Sequence, residues 1–124
     1  MRLIVETKCI KKKYDLTTAL QGVSIRVHAN EFVAVLGKSG SGKSTLFHVL
    51  GGLIIPDEGE VILDGKNIFK MKKKEFINFR RLNIGYVFQD FKLVPEFSVV
   101  DNILFPVDLD HEKIDSFYLE LLMK

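Results

Sequence analysis

Cysteine is nearly absent from this 124-residue chain: a single Cys9 rules out an internal disulfide, so no disulfide partner is expected. Cys9 also has no companions at metal-ligand spacing, and a reducing cytosol fits such a composition. Long hydrophobic runs are absent too. The densest, "VLGGLII" at Val49–Ile55, is cut off by Pro56 and Asp57, well short of the ~18 apolar residues that cross a bilayer. The opening "MRLIVETKC" has too short an apolar stretch for a signal peptide. No repeat or low-complexity tract is present. A large excess of one charge is also lacking, since the net charge is +2. Lysines do gather in "KCIKKKY" (Lys8–Tyr14) and "KMKKKEFINFRR" (Lys70–Arg81), but acids elsewhere nearly balance them. A solvated face is therefore expected, rather than a nucleic-acid or anionic-lipid patch. A hydrophobic content of 47% with 27% charged residues is ordinary globular composition, and the length suits one domain.

What the chain has in abundance is a short stretch of small residues, "VLGKSGSGKST" at Val35–Thr45. Such a loop presents mostly backbone. Its amides, curling into the start of a helix, form a positively polarised nest suited to phosphate. Gly37, Gly42, Lys43 and Ser44 fit G-x-x-x-x-G-K-[ST], the phosphate-binding loop. That pattern carries meaning only between a buried strand and a helix. "FVAVL" (Phe32–Leu36) reads as a strand covered on both faces, and Leu46, Val49, Leu50 and Leu53 follow at helical spacing. A flexible glycine-serine linker would not sit between two such elements.

Elsewhere, Leu3 and Val5, then Val23, Ile25 and Val27, alternate with polar neighbours as half-buried antiparallel strands do. "EVIL" reads as a short strand, and Asp64-Gly65 as a hairpin turn. The segment 71–81 predicts a short, mostly polar helix. "NIGYVFQ" (Asn83–Gln89) predicts another apolar strand. Ser98 with Asp101 three residues on marks a helix start, and Pro106 its expected end. The last fifteen residues, 110–124, put Ile114, Phe117, Tyr118, Leu121 and Leu122 on one helical face.

Taken together, "YDLTTALQGVSIRVHANEFVAVLGKSGSGKSTLFHVLGGLIIPDEGEVILDG" and "RRLNIGYVFQDFKLVPEFSVVDNILFP" resemble the nucleotide-binding domain of ABC transporters. The subgroup they look most like works with four-helix permeases in macrolide export, antimicrobial-peptide resistance and lipoprotein release. The resemblance implies an α/β fold, the N-terminal portion of an ABC-type P-loop NTPase. An antiparallel β region would occupy 1–31, a strand, loop and helix 32–55, a β-hairpin 56–70, a strand and glutamine loop 83–93, and the start of a helical subdomain 98–124. The implied cofactors are ATP and Mg²⁺. Lys43 would reach the β- and γ-phosphates and Ser44 the metal, while Thr45 and the amides of Ser39, Gly40, Ser41, Gly42, Lys43 and Ser44 would hold phosphate. Lys38, inside the loop, would point outward. Tyr14 corresponds to an aromatic that stacks on adenine, although a tyrosine beside lysines is also an ordinary surface residue. Gln89 corresponds to a glutamine that touches the metal and the attacking water; otherwise it is a glutamine ending an edge strand.

Phosphoryl transfer also needs an acid for the metal and a group to orient water. Asp64, in "VILD", sits in a hairpin turn, and Asp90 follows Gln89, so neither is read as that acid. After Gln89 there is no "LSGGQ"-like signature, no apolar strand ending in Asp-Glu, and no histidine placed as a switch; His28, His48 and His111 do not fall there. His48 is expected to pack within the first helix. The resemblance covers about the first half of a family domain. It implies ATP binding with little or no hydrolysis by the chain alone, a transmembrane permease partner, and a peripheral place on the cytoplasmic face of the membrane. A buried-type strand short of neighbours would favour self-association or a homodimer. The competing reading is a non-hydrolytic nucleotide-binding or interaction module. A small P-loop kinase or GTPase fits less well, since the chain has no Asn-Lys-x-Asp guanine reader and no basic lid.

Overall fold

A computed structural model describes residues 1–110 and 113–123. The chain divides into two compact units, Met1–Tyr86 and Val87–Lys124.

The first unit is built on a five-stranded antiparallel sheet. Its strands are β1 (Leu3–Tyr14), β2 (Thr17–Val23), β3 (Arg26–His28), β4 (Glu58–Leu63) and β5 (Lys66–Asn67). The order is β2-β1-β4-β5, with β3 also paired to β1. The long β1 changes face part-way. Val5 and Thr7 point inward, then Cys9 adopts a positive φ of 47° and the ladder with β4 shifts register between Lys8 and Lys11. A bulge of this kind reverses side-chain parity, so that Ile10 enters the core and Cys9 stays exposed. The same irregularity splits the alternation of Val23, Ile25 and Val27 into two strands. The break is closed by side chains: Ser24 Oγ accepts the Cys9 amide at 2.8 Å, while Thr7 Oγ1 donates to Val23 O at 3.1 Å and accepts the Ile25 amide at 3.0 Å. Thr7 is buried but fully bonded, which removes the cost of burying its hydroxyl.

The β4–β5 hairpin turns on Asp64 and Gly65, both at positive φ (46° and 76°), as a two-residue type I′ turn requires. Helix α1 (Lys43–Leu50) presents Leu46 and Val49 to the sheet, and α2 (Lys73–Asn83) adds Phe79. With Ile10, Leu20, Val61, Leu63 and Ile68 these make one core. Helix α1 is shorter than its apolar spacing implied. Gly52, at φ +67°, donates to Val49 O, and Leu53 donates to His48 O, which is a glycine-dependent helix stop. Leu53 therefore lies beyond the helix. His48 does pack, stacked on Tyr86 at 5.9 Å. Helix α2 runs two residues later than expected.

Two lysines of β1 are paired across the sheet, Lys11 with Glu58 and Lys12 with Asp57, because antiparallel pairing sets the basic strand beside the acidic start of β4; Lys70, after β5, pairs with Glu60 of β4. The charge pattern implied a solvated face; the structure adds the ion pairs.

Two expected strands are not formed. Phe32–Leu36 and Asn83–Gln89 make no ladder; Asn83 closes α2, and Phe32, Leu36 and Val87 are 97%, 91% and 92% exposed. The physical reason is that a strand exists only by hydrogen bonding to a neighbour. Neither segment has one among the described residues, so the β-rich composition remains without a sheet.

The second unit holds α3 (Val99–Leu109) and α4 (Ser116–Leu122). Ser98 and Asp101 form the expected capping box, with Ser98 Oγ accepting the Asp101 amide at 3.1 Å. Helix α3 does not stop at Pro106 but continues to Leu109. The proline removes one interior donor, and Asn102, whose carbonyl loses that donor, is instead bound through its side chain. Asn102 Oδ1 accepts the Val94 amide at 2.8 Å, and its Nδ2 donates to Val94 O and Ser98 O at 3.1 and 3.0 Å. Helix α4 starts at Ser116 rather than at residue 110, because Asp115 accepts the Tyr118 amide and caps it. His111, Glu112 and Lys124 of the expected helix lie outside the described residues.

Candidate functional site

The glycine loop, residues 37–45, leads directly into α1 and is exposed along most of its length. Its backbone needs glycine at two places for different reasons. Gly40 has φ +75° with open space around it, so only the conformation demands glycine. Gly42 has φ +89°, and a Cβ there would lie 2.2 Å from Ala19 O of β2, so conformation and space both demand it. The second glycine of the motif is therefore where the loop is pressed onto the sheet. Gly37 also has a close neighbour, Ser41 Oγ, 2.6 Å from where a Cβ would stand.

Lys43 folds back over the loop. Its ammonium donates to Gly37 O and Lys38 O, both at 2.7 Å, with Ser41 Oγ at 3.4 Å. Two of its three protons are thus held by backbone, and the charge stays inside the curl of the loop. Lys38 itself is exposed, as expected of a side chain that points outward, and only its carbonyl takes part. Ser39, Ser41 and Ser44 are exposed, and Thr45 is half-buried on α1.

The helix end is open to an anion. The first backbone bond of α1 runs from the Leu46 amide to Gly42 O at 2.9 Å, which leaves the usual orphan amides ahead of it. Gly42, as N-cap, offers no side chain to them, and no acid stands in the first turn. Uncapped donors, an unopposed helix dipole and a lysine ammonium come together in one short stretch of chain. That donor set fits a polyphosphate.

Tyr14 ends β1, exposed, with Lys12 Nζ 5.7 Å from its ring centroid. It pairs with Thr17, two residues along β2 from the Ala19 carbonyl that meets Gly42. One strand therefore connects the ring to the glycine loop over about 7 Å of extended chain. Gln89 belongs to the second unit, exposed in a turn closed by the Phe91 amide on Phe88 O at 3.2 Å, so it does not end a strand.

The two carboxylates set aside by sequence are engaged elsewhere. Asp64 takes a bidentate grip from Arg2 at 2.6 Å, and this hydrogen bonding holds its carboxyl below the ordinary range. Asp90 pairs with Lys92 at 2.6 Å with the same consequence. Away from the glycine loop, the first unit also holds an apolar groove of about 410 Å³, lined by residues including Phe47, Leu50, Phe79, Ile84 and Tyr86 and rimmed by the Arg2–Asp64 pair. Sequence reasoning missed Ala19, Lys12 and Asn102, whose parts are set by partners distant in the chain.

Known proteins are similar to this chain in sequence and in backbone. The family profile described as ABC transporter matches residues 20–123. The chain is 38% identical over 103 residues to the lipoprotein-releasing system ATP-binding protein LolD of Bacteroides thetaiotaomicron, covering 83% of this chain and 47% of that protein. It is 36% identical over 115 residues to the ABC transporter ATP-binding protein YxdL of Bacillus subtilis, covering 90% and 45%. With the macrolide export ATP-binding/permease protein MacB of Chlorobaculum tepidum the identity is 41% over 106 residues, covering 86% and 16%. Among solved structures, the dimeric post-hydrolysis state of the ATP-binding cassette MJ0796, bound to ADP and Pi, matches with TM-score 0.82 at 32% identity, covering 94% of this chain and 52% of that one. CbiO1 of Clostridium perfringens, part of the complex cbiONQ, matches with TM-score 0.73 at 29% identity, covering 97% and 47%. The chain spans about half the length of the ATP-binding relatives LolD and YxdL. Among the described residues no helix is long and apolar enough to cross a membrane. On the family match and the shared backbone, this chain belongs to the ABC transporter family, and its α/β fold is the N-terminal portion of an ABC-type P-loop cassette.

Proposed function

We propose that these residues form the ATP-binding part of a transporter's motor subunit. The observation that carries this is the donor set of the loop: Lys43 anchored on Gly37 O and Lys38 O beside the uncapped amides at the start of α1. The amides of Ser39–Ser44 and the Lys43 ammonium, on exchanging its weak 3.4 Å contact to Ser41 Oγ, hold the β- and γ-phosphates; Thr45 supports them from the first turn of α1. The Ser44 hydroxyl takes Mg²⁺, which would neutralise phosphate charge. Tyr14 offers its ring to adenine, and Gln89 serves the metal and water while sitting in a turn that nucleotide state can bias. The names of the relatives support a permease partner and a dimeric working form; the proposed place of these residues is peripheral, on the cytoplasmic face of a membrane beside that permease.

Transfer of the phosphoryl group needs a second metal acid and a positioned water. Asp64 and Asp90 are committed to Arg2 and Lys92, and no apolar strand ending in Asp-Glu follows Gln89. The 124-residue chain therefore binds ATP·Mg²⁺ without steady turnover. This keeps the non-hydrolytic binding module as a second reading for these residues alone. Titration of a fluorescent ATP analogue, with and without Mg²⁺, tests the first claim: saturable binding lost in Lys43→Ala is expected, and no binding refutes it. Phosphate release that is steady and abolished by Lys43→Ala would refute the second.

A further inference from the structure

We propose that Lys12 is a positioning residue for base recognition: clamped by Asp57 over one face of the Tyr14 ring, it leaves the opposite face for a purine. The inference rests on the reading of Tyr14 as the base platform and adds what fixes that platform.

Lys12 differs from the other lysines of β1. After the bulge at Cys9, Ile10 is buried, and Lys12, two residues on, is half-buried; its side chain is only 17% exposed, against 55% for Lys8 and 50% for Lys11. A half-buried ammonium needs a fixed partner. Asp57 supplies it and cannot swing away, because it is tied to β1 three times. Its Oδ1 accepts from Lys12 Nζ at 2.8 Å, its Oδ2 accepts the Lys13 amide at 2.7 Å, and its own amide donates to Lys11 O at 2.9 Å. The ammonium so held stands 5.7 Å from the Tyr14 centroid, within cation–π range.

Two consequences follow. A ring with a cation over one face has one face left on which a base can stack. The ring is also kept from turning, so its free face keeps one orientation relative to the strand that runs to Ala19 and the glycine loop. Base and polyphosphate are then read by two separate parts of one unit. The Tyr14–Lys12–Asp57 group acts on the base end alone.

That separation makes the test. Binding of ATP·Mg²⁺ and of inorganic tripolyphosphate is measured on the 124-residue chain by calorimetry, with thermal melting as the check on folding. Lys12→Met keeps the aliphatic stem and removes the charge. It is expected to weaken ATP by roughly 2- to 5-fold, the size of a cation–π contact, and to leave tripolyphosphate unchanged. Asp57→Asn, which can still accept the Lys13 amide, is expected to do the same, while Lys12→Arg retains native affinity. Equal weakening of ATP and tripolyphosphate would make Lys12 merely structural and overturn the inference. Native ATP affinity in Lys12→Met, with Tyr14→Ala still impaired, would overturn it while the base platform stands. If Tyr14→Ala binds ATP normally and Lys43→Ala does not, the platform reading falls and takes the inference with it. If Lys43→Ala also binds normally, the phosphate-loop reading itself has failed.

Discussion

Replacing Gly42 with alanine, compared with the same change at Gly40, tests how the loop is built. Both glycines have positive φ, +89° and +75°, so either alanine carries the strain of a left-handed L-residue, about 1–2 kcal/mol. At Gly40 the new methyl meets open space, and strain is the whole effect. At Gly42 it would stand 2.2 Å from Ala19 O, a backbone atom that cannot rotate away. To reach even a tight contact, loop and strand must part by about 1 Å, in an interior that yields little. Adding overpacking of about 1–3 kcal/mol to the strain gives a total on the order of 2–5 kcal/mol for Gly42→Ala. In a unit of this size each kcal/mol moves the melting midpoint by roughly 4–8 °C, so Gly42→Ala should melt well below Gly40→Ala. The displacement also draws the amides at the start of α1 away from where Lys43 anchors the loop. Thermal melts followed by circular dichroism, with titration of a fluorescent ATP analogue, provide the readout. Gly42→Ala should lose binding by more than 10-fold relative to Gly40→Ala, a difference of about 1.4 kcal/mol. Equal melting and equal binding of the two variants would refute the packing of the loop on Ala19.

Further expectations follow from the same contacts. Ile10 is fully buried, and Ile10→Ala should cost about 2–5 kcal/mol, enough to leave much of the first unit unfolded by chemical denaturation. Asp57, Glu60 and Asp64 have carboxyls held below their ordinary values, 3.8 for the aspartates and 4.5 for the glutamate, by hydrogen bonds from Lys12, Lys70 and Arg2. Depressed folded values mean that this stability is complete above the ordinary values and is lost as pH falls through the folded ones, so the melting midpoint should hold near neutrality and drop below about pH 4.5. These groups are exposed, and added salt should shrink the effect. In the second unit, Asn102→Ala removes the clamp on Val94 and Ser98 and should destabilise the 94–98 loop by about 1–3 kcal/mol, seen as faster amide exchange there.

The parts of the fold legible in the sequence are those whose cause is local. The glycine loop and its helix, the Asp64-Gly65 turn and the Ser98–Asp101 cap each depend on residues within a few positions of one another, where backbone conformation and short hydrogen bonds decide. The same holds for rejecting Asp64 as a metal acid, since a residue in a two-residue turn was already committed, although its partner Arg2 lies 62 positions away. The family resemblance was legible for the same reason, being carried by contiguous motifs.

What only the tertiary structure decided depends on distant chain. Composition marked Phe32–Leu36 and Asn83–Gln89 as strands, but a strand is a relation between two segments, and without a neighbour neither forms. The bulge at Cys9, which turns Ile10 inward, is set by pairing with Ser24 and β4. The lysines of β1 could have made a basic surface; register with β4 set Lys11 and Lys12 against acids, and the bulge gave Lys12 alone a half-buried place beside Tyr14. Alphabet and spacing thus determined the glycine loop, because its form is backbone geometry over nine residues. Packing determined which side chains stand around it, because that requires strands far apart in sequence to meet.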